Sequence, residues 1–204
     1  MTQNEYMQSM IKPPCPYLDI LFKEESTRKD VCPSIGPNIG SLIHLLIQIT
    51  QATKVVEFGT CLGYSTIWLA QSLEDTNGNL ISIESSPRLV KETQNNVSKV
   101  GLAHRVTIIE GKAEKVFQTL SGPFDLILQD AATGVYLSLL NSCVNKLRPG
   151  GLLISDDVLF PTKQVRKRQK ELMNAYNHAL VNHPDLLTII LPLGDGVALS
   201  MKKY

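Results

Sequence analysis

From residue 54 onward the chain alternates between short β-branched apolar runs and longer segments whose apolar residues recur at helical spacing. The runs 54–58, 80–84, 105–110, 124–129 and 152–155 predict five strands. Helices are predicted between them at 65–73, from Pro87 toward Gly101, at 113–120 and at 136–147. Ser86 before Pro87 is a helix start of the cap-then-proline type, and Gly101 is a matching stop. The tetrapeptide Arg148-Pro149-Gly150-Gly151 reads as a turn. A long polar helix over 163–182 follows, then two strands, 187–191 and 197–201, joined across the hairpin signal Gly194-Asp195-Gly196. Upstream, Pro13, Pro14 and Pro16 punctuate the start, and helices at 17–25 and 39–49 flank a loop at 33–37.

Strands alternating with helices give an α/β protein: a mostly parallel sheet with helices on both faces. The closing hairpin makes it seven-stranded with one antiparallel strand. The expectation is one domain over 1–204, with 1–35 as a helical and loop segment at its N-terminus. Ligands of such sheets bind at the carboxyl ends of the strands, near the topological switch point. Those ends here are all acidic: Glu57, Glu84, Glu110, Asp130 and Asp156.

Composition narrows the class. The chain has 204 residues, 43% of them hydrophobic, and a net charge of +1, so no global field steers it to nucleic acid or membrane. No apolar run approaches a membrane span, and the start, with Asn4, Glu5 and Gln8, is not a secretory signal. Cys15, Cys32, Cys61 and Cys143 are scattered without a C-x-x-C pair, which points to reduced thiols and a cytoplasmic location.

The segment Glu57-Phe58-Gly59-Thr60-Cys61-Leu62-Gly63-Tyr64-Ser65 follows the first strand. Its glycines permit a sharp turn and close backbone approach to a ligand. It lacks the G-x-G-x-x-G spacing of dinucleotide sites, and Glu57 would repel a pyrophosphate. The same carboxylate suits the cationic amino group of a methionine moiety, so S-adenosylmethionine is the expected cofactor. Glu84, ending the second strand, is placed to accept ribose hydroxyls, and Gly111-Lys112-Ala113 to flank adenine. Cys61, within the loop, is grouped with the cofactor residues and not read as a nucleophile.

Six segments in order carry a family resemblance: 33–40, the glycine loop, Phe124 through Ala131, Leu147 through Gly151, Asp156-Asp157-Val158-Leu159, and Leu193 through Gly196. Together they resemble the cation-dependent O-methyltransferases, the group of catechol and caffeoyl-coenzyme A O-methyltransferases and their bacterial relatives. The resemblance implies a Rossmann-like class I methyltransferase. It implies a cofactor pocket lined by Ile35, Glu57, Gly59, Ser65, Glu84 and Ala113, to which the glycine loop adds Cys61 and Gly63 and the fourth strand's end Asp130. It further implies a divalent cation, usually magnesium, on Asp130, Asp156 and Asp157, and a homodimer. Asp130 is the residue expected to carry catalysis. A bound cation lowers the pKa of an acceptor hydroxyl.

Two positions depart from that pattern. Asp157 stands where relatives carry Asn, and either oxygen donor suits a hard cation. Thr133 stands where relatives carry a Lys general base, a role a neutral hydroxyl cannot fill. The leading expectation is methyl transfer to a small hydroxylated acceptor of aromatic, catechol-like type. The basic run Lys163, Arg166, Lys167, Arg168 and Lys170 keeps a tRNA hydroxyuridine-type substrate as the alternative. The missing Lys keeps a cofactor-binding protein without transfer activity as another. His44 is expected to be packed or paired.

Overall fold

The computed structural model describes residues 3–204, so residues 1 and 2 of the expected 1–204 domain lie outside the described residues. Seven strands form one sheet: β1 (Lys54–Phe58), β2 (Asn79–Glu84), β3 (Val106–Glu110), β4 (Phe124–Gln129), β5 (Leu147–Ser155), β6 (Leu186–Leu191) and β7 (Val197–Lys202). Their order is β3-β2-β1-β4-β5-β7-β6. All pairs are parallel except those made by β7, which runs antiparallel to both β5 and β6. The order reverses between β1 and β4, so a crevice opens at their carboxyl ends.

Two apolar cores sandwich the sheet. On one face Leu18 and Leu21 of α2 (Tyr17–Thr27), Ile39, Ile43 and Ile47 of α3 (Gly36–Thr50), and most of α4 (Tyr64–Glu74) pack against Val55, Leu80, Leu126 and Ile154. On the other, Phe117 of α6 (Ala113–Thr119), Leu139 and Cys143 of α7 (Tyr136–Lys146), and Met173 and Tyr176 of α8 (Lys167–Val181) cover Val56, Phe58, Ile127 and Leu153. Central strands buried on both faces explain why their sequences are continuous apolar runs. Helix α4 is buried nearly all round, Ser65, Thr66 and Ser72 included, because α3 and the sheet enclose it. Trp68 lies flat on Gly40 of α3, where a Cβ would stand 2.5 Å from the ring.

Helix α5 (Pro87–Lys99) starts as its sequence predicts, with Ser86 Oγ accepting from the Leu89 amide. Other boundaries differ. Helix α1 (Gln3–Met10) was not anticipated. Helix α3 begins inside the expected 33–37 loop because Pro37 fits its first turn. The expected turn at 148–151 belongs to β5. Arg148 Nε donates to Asp125 Oδ1 at 2.6 Å, while Asp125 Oδ2 takes the Thr53 and Lys54 amides, which fixes this stretch beside β4. Helix α8 starts at Lys167, not 163, because a 3₁₀ turn at Phe160–Thr162 takes the chain out of β5 first. His44 is paired, its Nδ1 2.9 Å from Ser72 Oγ. No helix among the described residues is long and apolar enough to cross a membrane.

Candidate active site

The loop after β1 and the end of β4 meet at the switch point. Asp130 N donates to Phe58 O at 3.1 Å, and Gly59 N to Ile83 O at 2.9 Å. Gly59 has φ +85, and a Cβ there would stand 2.3 Å from the Asp130 carbonyl, so only glycine lets β1 and β4 approach this closely. Gly63, with φ +93, leads into α4 against Thr93 of α5. The loop is strapped to α5: Thr93 Oγ1 donates to Cys61 O at 3.0 Å and Asn96 Nδ2 to Leu62 O at 2.9 Å. Tyr17 OH donates to Asn96 Oδ1 at 2.8 Å, extending the strap to α2.

Glu57 lies one layer beneath this loop. It is 0% exposed, and its carboxylate accepts from Ser65 Oγ, Thr66 Oγ1 (2.7 Å) and Ser82 Oγ (2.7 Å). Burial pushes its pKa up to about 7, and the three hydroxyls pull it back. Fully buried and accepting three hydroxyl bonds, Glu57 braces the loop from below. Ser65 is engaged with it and is itself buried.

Glu84 reaches the loop from the end of β2. Its Oε2 accepts from the Thr60 amide at 3.1 Å and its Oε1 from the Ser86 amide at 2.8 Å. A ribose at this place would share a carboxylate already oriented by backbone donors. Ile35 caps the N-terminus of α3 and Ala113 opens α6, both buried. Glu110, the remaining acidic strand end, is exposed on the edge strand β3 and stands outside this group.

Asp130, Asp156 and Asp157 follow the adjacent ends of β4 and β5, whose last residues Gln129 and Ser155 are partners in register. Burial, then Asp156 and Asp157, hold the Asp130 carboxyl well above the usual carboxylate range. Burial and then Asp157 push Asp156 up to about 7, and burial and then Asp195 push Asp157 up to about 6. Asp157 has φ +63, and its amide donates to Asp156 Oδ1 at 2.8 Å. The chain that carries it is tied to the β6–β7 loop by Val158 N to Gly196 O and Leu159 N to Asp195 O. Lys163, the nearby cation, pairs with Asp195 at 3.0 Å.

No lysine or arginine ion pair reaches the three aspartates among the described residues. Nor are three His, Cys, Asp or Glu side chains spaced there to hold an ion as they stand. The donor chemistry nevertheless fits a hard divalent cation: Asp156 and Asp157 raise the Asp130 pKa, Asp157 raises that of Asp156, and all three offer only oxygen. Thr133 is half-buried in the segment after Asp130, and no cationic side chain stands in that segment.

Sequence reasoning missed the layer behind these acids. Tyr176 OH donates to Gln129 Oε1 at 3.0 Å and is 2.6 Å from Ser155 Oγ. Tyr136 OH donates to Gln129 O, and Gln129 Nε2 to Tyr136 O. Polar residues ending two apolar strands were the available signal, since such buried groups need partners.

Comparison with known proteins agrees with this geometry. A profile described as O-methyltransferase matches residues 14–203. A catechol O-methyltransferase of Niastella koreensis is 37% identical over 142 residues, covering 68% of this chain and 64% of that protein. A catechol O-methyltransferase of Mycobacterium tuberculosis is 32% identical over 127 residues, covering 62% of this chain and 57% of that protein. The matches therefore span less than two thirds of either relative's length. An O-methyltransferase from Bacillus cereus, solved in complex with SAH, shares the fold with a TM-score of 0.86 at 23% identity, covering 98% of this chain and 96% of its own.

Proposed function

The chain belongs to the O-methyltransferase family, and from that premise we propose that it transfers a methyl group from S-adenosylmethionine to a hydroxyl of a small, catechol-like acceptor, assisted by a divalent cation such as magnesium. The observation that carries this reading is the placement of Asp130, Asp156 and Asp157 directly after the paired ends of β4 and β5, beside the glycine loop, with no ion pair to a lysine or arginine among the described residues.

Bound there, S-adenosylmethionine would supply an electrophilic methyl group, and a divalent cation would lower the pKa of the acceptor hydroxyl. The remaining work belongs to the chain. Gly59 and Gly63 let the loop lie close to the cofactor, while Glu57 keeps it in shape through Ser65 and Thr66. Glu84 takes the ribose, with Ile35 and Ala113 as apolar walls, and Cys61 adds backbone and a packed thiol. Asp130, Asp156 and Asp157 would hold the cation, and Asp130 also borders the cofactor. With Thr133 in place of a lysine, activation of the hydroxyl falls to these acids and what they bind. Holding an acceptor oxygen in line with the methyl group would supply part of the rate through orientation.

A second reading, methylation of a hydroxylated base in tRNA, draws on Lys163, which opens the basic run and reaches Asp195 beside Asp157. A homodimer in the cytoplasm completes the proposal. Its support is an open apolar groove of about 430 Å³ over β5, β6 and β7, lined by Leu152, Leu187, Ile189, Leu199 and Met201. None of the lining residues is charged, so the groove suits a protein surface better than a polar small molecule.

Calorimetric titration with S-adenosylmethionine tests the shared premise. Saturable binding is expected, and absence of binding at millimolar cofactor overturns the proposal. Binding without methyl transfer to catechols or tRNA would mark a cofactor-binding protein instead.

A further inference from the structure

Two of the four cysteines meet at the rim of the glycine loop. Cys61 Sγ donates to the Cys32 carbonyl at 3.4 Å. Cys32 is exposed on the linker between α2 and α3, and Cys61 is half-buried in the loop. A disulfide spans Cα atoms about 4.4–6.8 Å apart, and a sulfur resting on the other residue's carbonyl sets the two chains at that scale. The Cys32 thiol is also among the groups that raise the Cys61 pKa. Cys143, by contrast, is sealed in the core on the other face of the sheet.

Helix α5 holds both partners in place. On the loop side, Thr93 and Asn96 donate to the Cys61 and Leu62 carbonyls. On the linker side, Arg88 Nη2 donates to Asp30 O at 3.1 Å, and Arg28 pairs with Glu92 at 2.6 Å. Cys61 is kept at φ +48, in the left-handed region that residues other than glycine seldom adopt. Groups already held this close lose little freedom on being joined.

The pair borders the site as well. Burial, then Asp130, Asp157 and Glu84, raise the Cys32 thiol, so its sulfur feels acids from both halves of the cleft. Burial and then Glu25 push Cys61 up to about 12. Both groups are therefore thiols at neutral pH, and their chemistry depends on proximity and not on an activated thiolate. At a reducing poise the pair stays open, as the free thiols of this structure show.

We propose that Cys32 and Cys61 form a reversible disulfide that joins the α2–α3 linker to the glycine loop and weakens cofactor binding. The oxidant is a small disulfide such as oxidised glutathione. Cys32, the exposed thiol, loses its proton and attacks one glutathione sulfur, releasing the first glutathione thiolate. Cys61 then loses its proton and attacks the Cys32 sulfur of the mixed disulfide, releasing the second. The two protons pass to the released thiolates, so two protein thiols are oxidised and one small disulfide is reduced. Cofactor binding responds because the bond closes the space between the glycine loop and Ile35, which ends the linker and is placed as a pocket wall. That effect rests on the cofactor reading above; the bond itself does not.

The test treats the full chain with oxidised glutathione or with dithiothreitol. Cysteine pairs are mapped by peptide mass spectrometry, and each form is titrated with S-adenosylmethionine by calorimetry. Oxidised wild type should yield peptides joined at Cys32 and Cys61. Its affinity should fall about 10-fold or more, a coupling of ordinary size between two sites, and return with dithiothreitol. By linkage, saturating cofactor should disfavour the bond by the same factor. Cys32→Ser should bind as reduced wild type does, before and after the oxidant. Glutathione left on Cys32 without the cross-link, or a cross-linked chain that binds as the reduced form does, overturns the proposal. A reduced wild type that binds no cofactor overturns the cofactor reading and the effect on binding with it, while the mapped bond still decides the pair.

Discussion

The Tyr176 hydroxyl donates to Gln129 Oε1 at 3.0 Å, and this bond joins α8 to the residue immediately before Asp130. The same hydroxyl is 2.6 Å from Ser155 Oγ, immediately before Asp156. One buried phenol thus sets the ends of β4 and β5, and with them two of the three candidate cation-binding acids. Tyr176→Phe would leave the Gln129 and Ser155 oxygens buried and short of a partner, which costs about 1–3 kcal/mol. Thermal unfolding should show the variant melting lower. Steady-state assays should show a reduced kcat with the KM for S-adenosylmethionine little changed. An equal rise in that KM would assign the network to the cofactor half instead.

Glu25 predicts a pH-dependent stability. Its folded pKa, about 7, lies above the unfolded value, so the protonated form favours the fold. That contribution is full at pH values below the unfolded pKa and is lost as the pH rises through about 7. Glu25→Gln mimics the protonated acid. It should melt close to wild type at pH 4.5 and higher than wild type at pH 8, with a ceiling of about 3 kcal/mol for this shift. A gain that does not vary between those pH values would contradict the assignment.

Adding a divalent cation should relieve the repulsion among Asp130, Asp156 and Asp157. Magnesium at 100 times its dissociation constant would stabilise the fold by about 2.7 kcal/mol, reversed by chelator. Asp157→Asn, which restores the residue the family resemblance implies, removes one charge. It should melt higher than wild type without the cation and gain less when magnesium is added. Differential scanning fluorimetry across a magnesium series reads both effects.

The exposed edge strand β6 presents Leu187 and Ile189, 63% and 55% exposed, beside the apolar groove. Edge strands of this kind are open to pairing with another chain. Light scattering should find a dimer for wild type and a monomer for the double variant Leu187→Lys, Ile189→Glu. A monomeric wild type would remove the homodimer from the account.

Strands β1, β2 and β4 were legible as apolar runs buried on both faces, the edge strand β3 as a short β-branched run, and the hairpin because Gly194 and Gly196 mark its loop. The start of β5 was hidden. Arg148-Pro149-Gly150-Gly151 has turn chemistry, and only the distant Asp125 keeps it in the sheet. The role of Glu57 was hidden in the same way: position in the chain shows an acid near a glycine loop, but Ser65, Thr66 and Ser82 come from two separate elements. Glu25 gives no local signal at all. A glutamate in the last turn of an amphipathic helix reads as solvent-facing until α4 is folded against it.

The central claim is that the three aspartates serve a methyl transfer beside the glycine loop. The direct measurement follows methyl transfer from S-adenosylmethionine to a catechol by mass spectrometry, with magnesium, with chelator, and with Asp130→Asn. The account predicts methylated product with magnesium, at least about 100-fold less with chelator, and a comparable loss for the variant, the scale of losing electrostatic activation. Product formed equally well in chelator and by Asp130→Asn would contradict it.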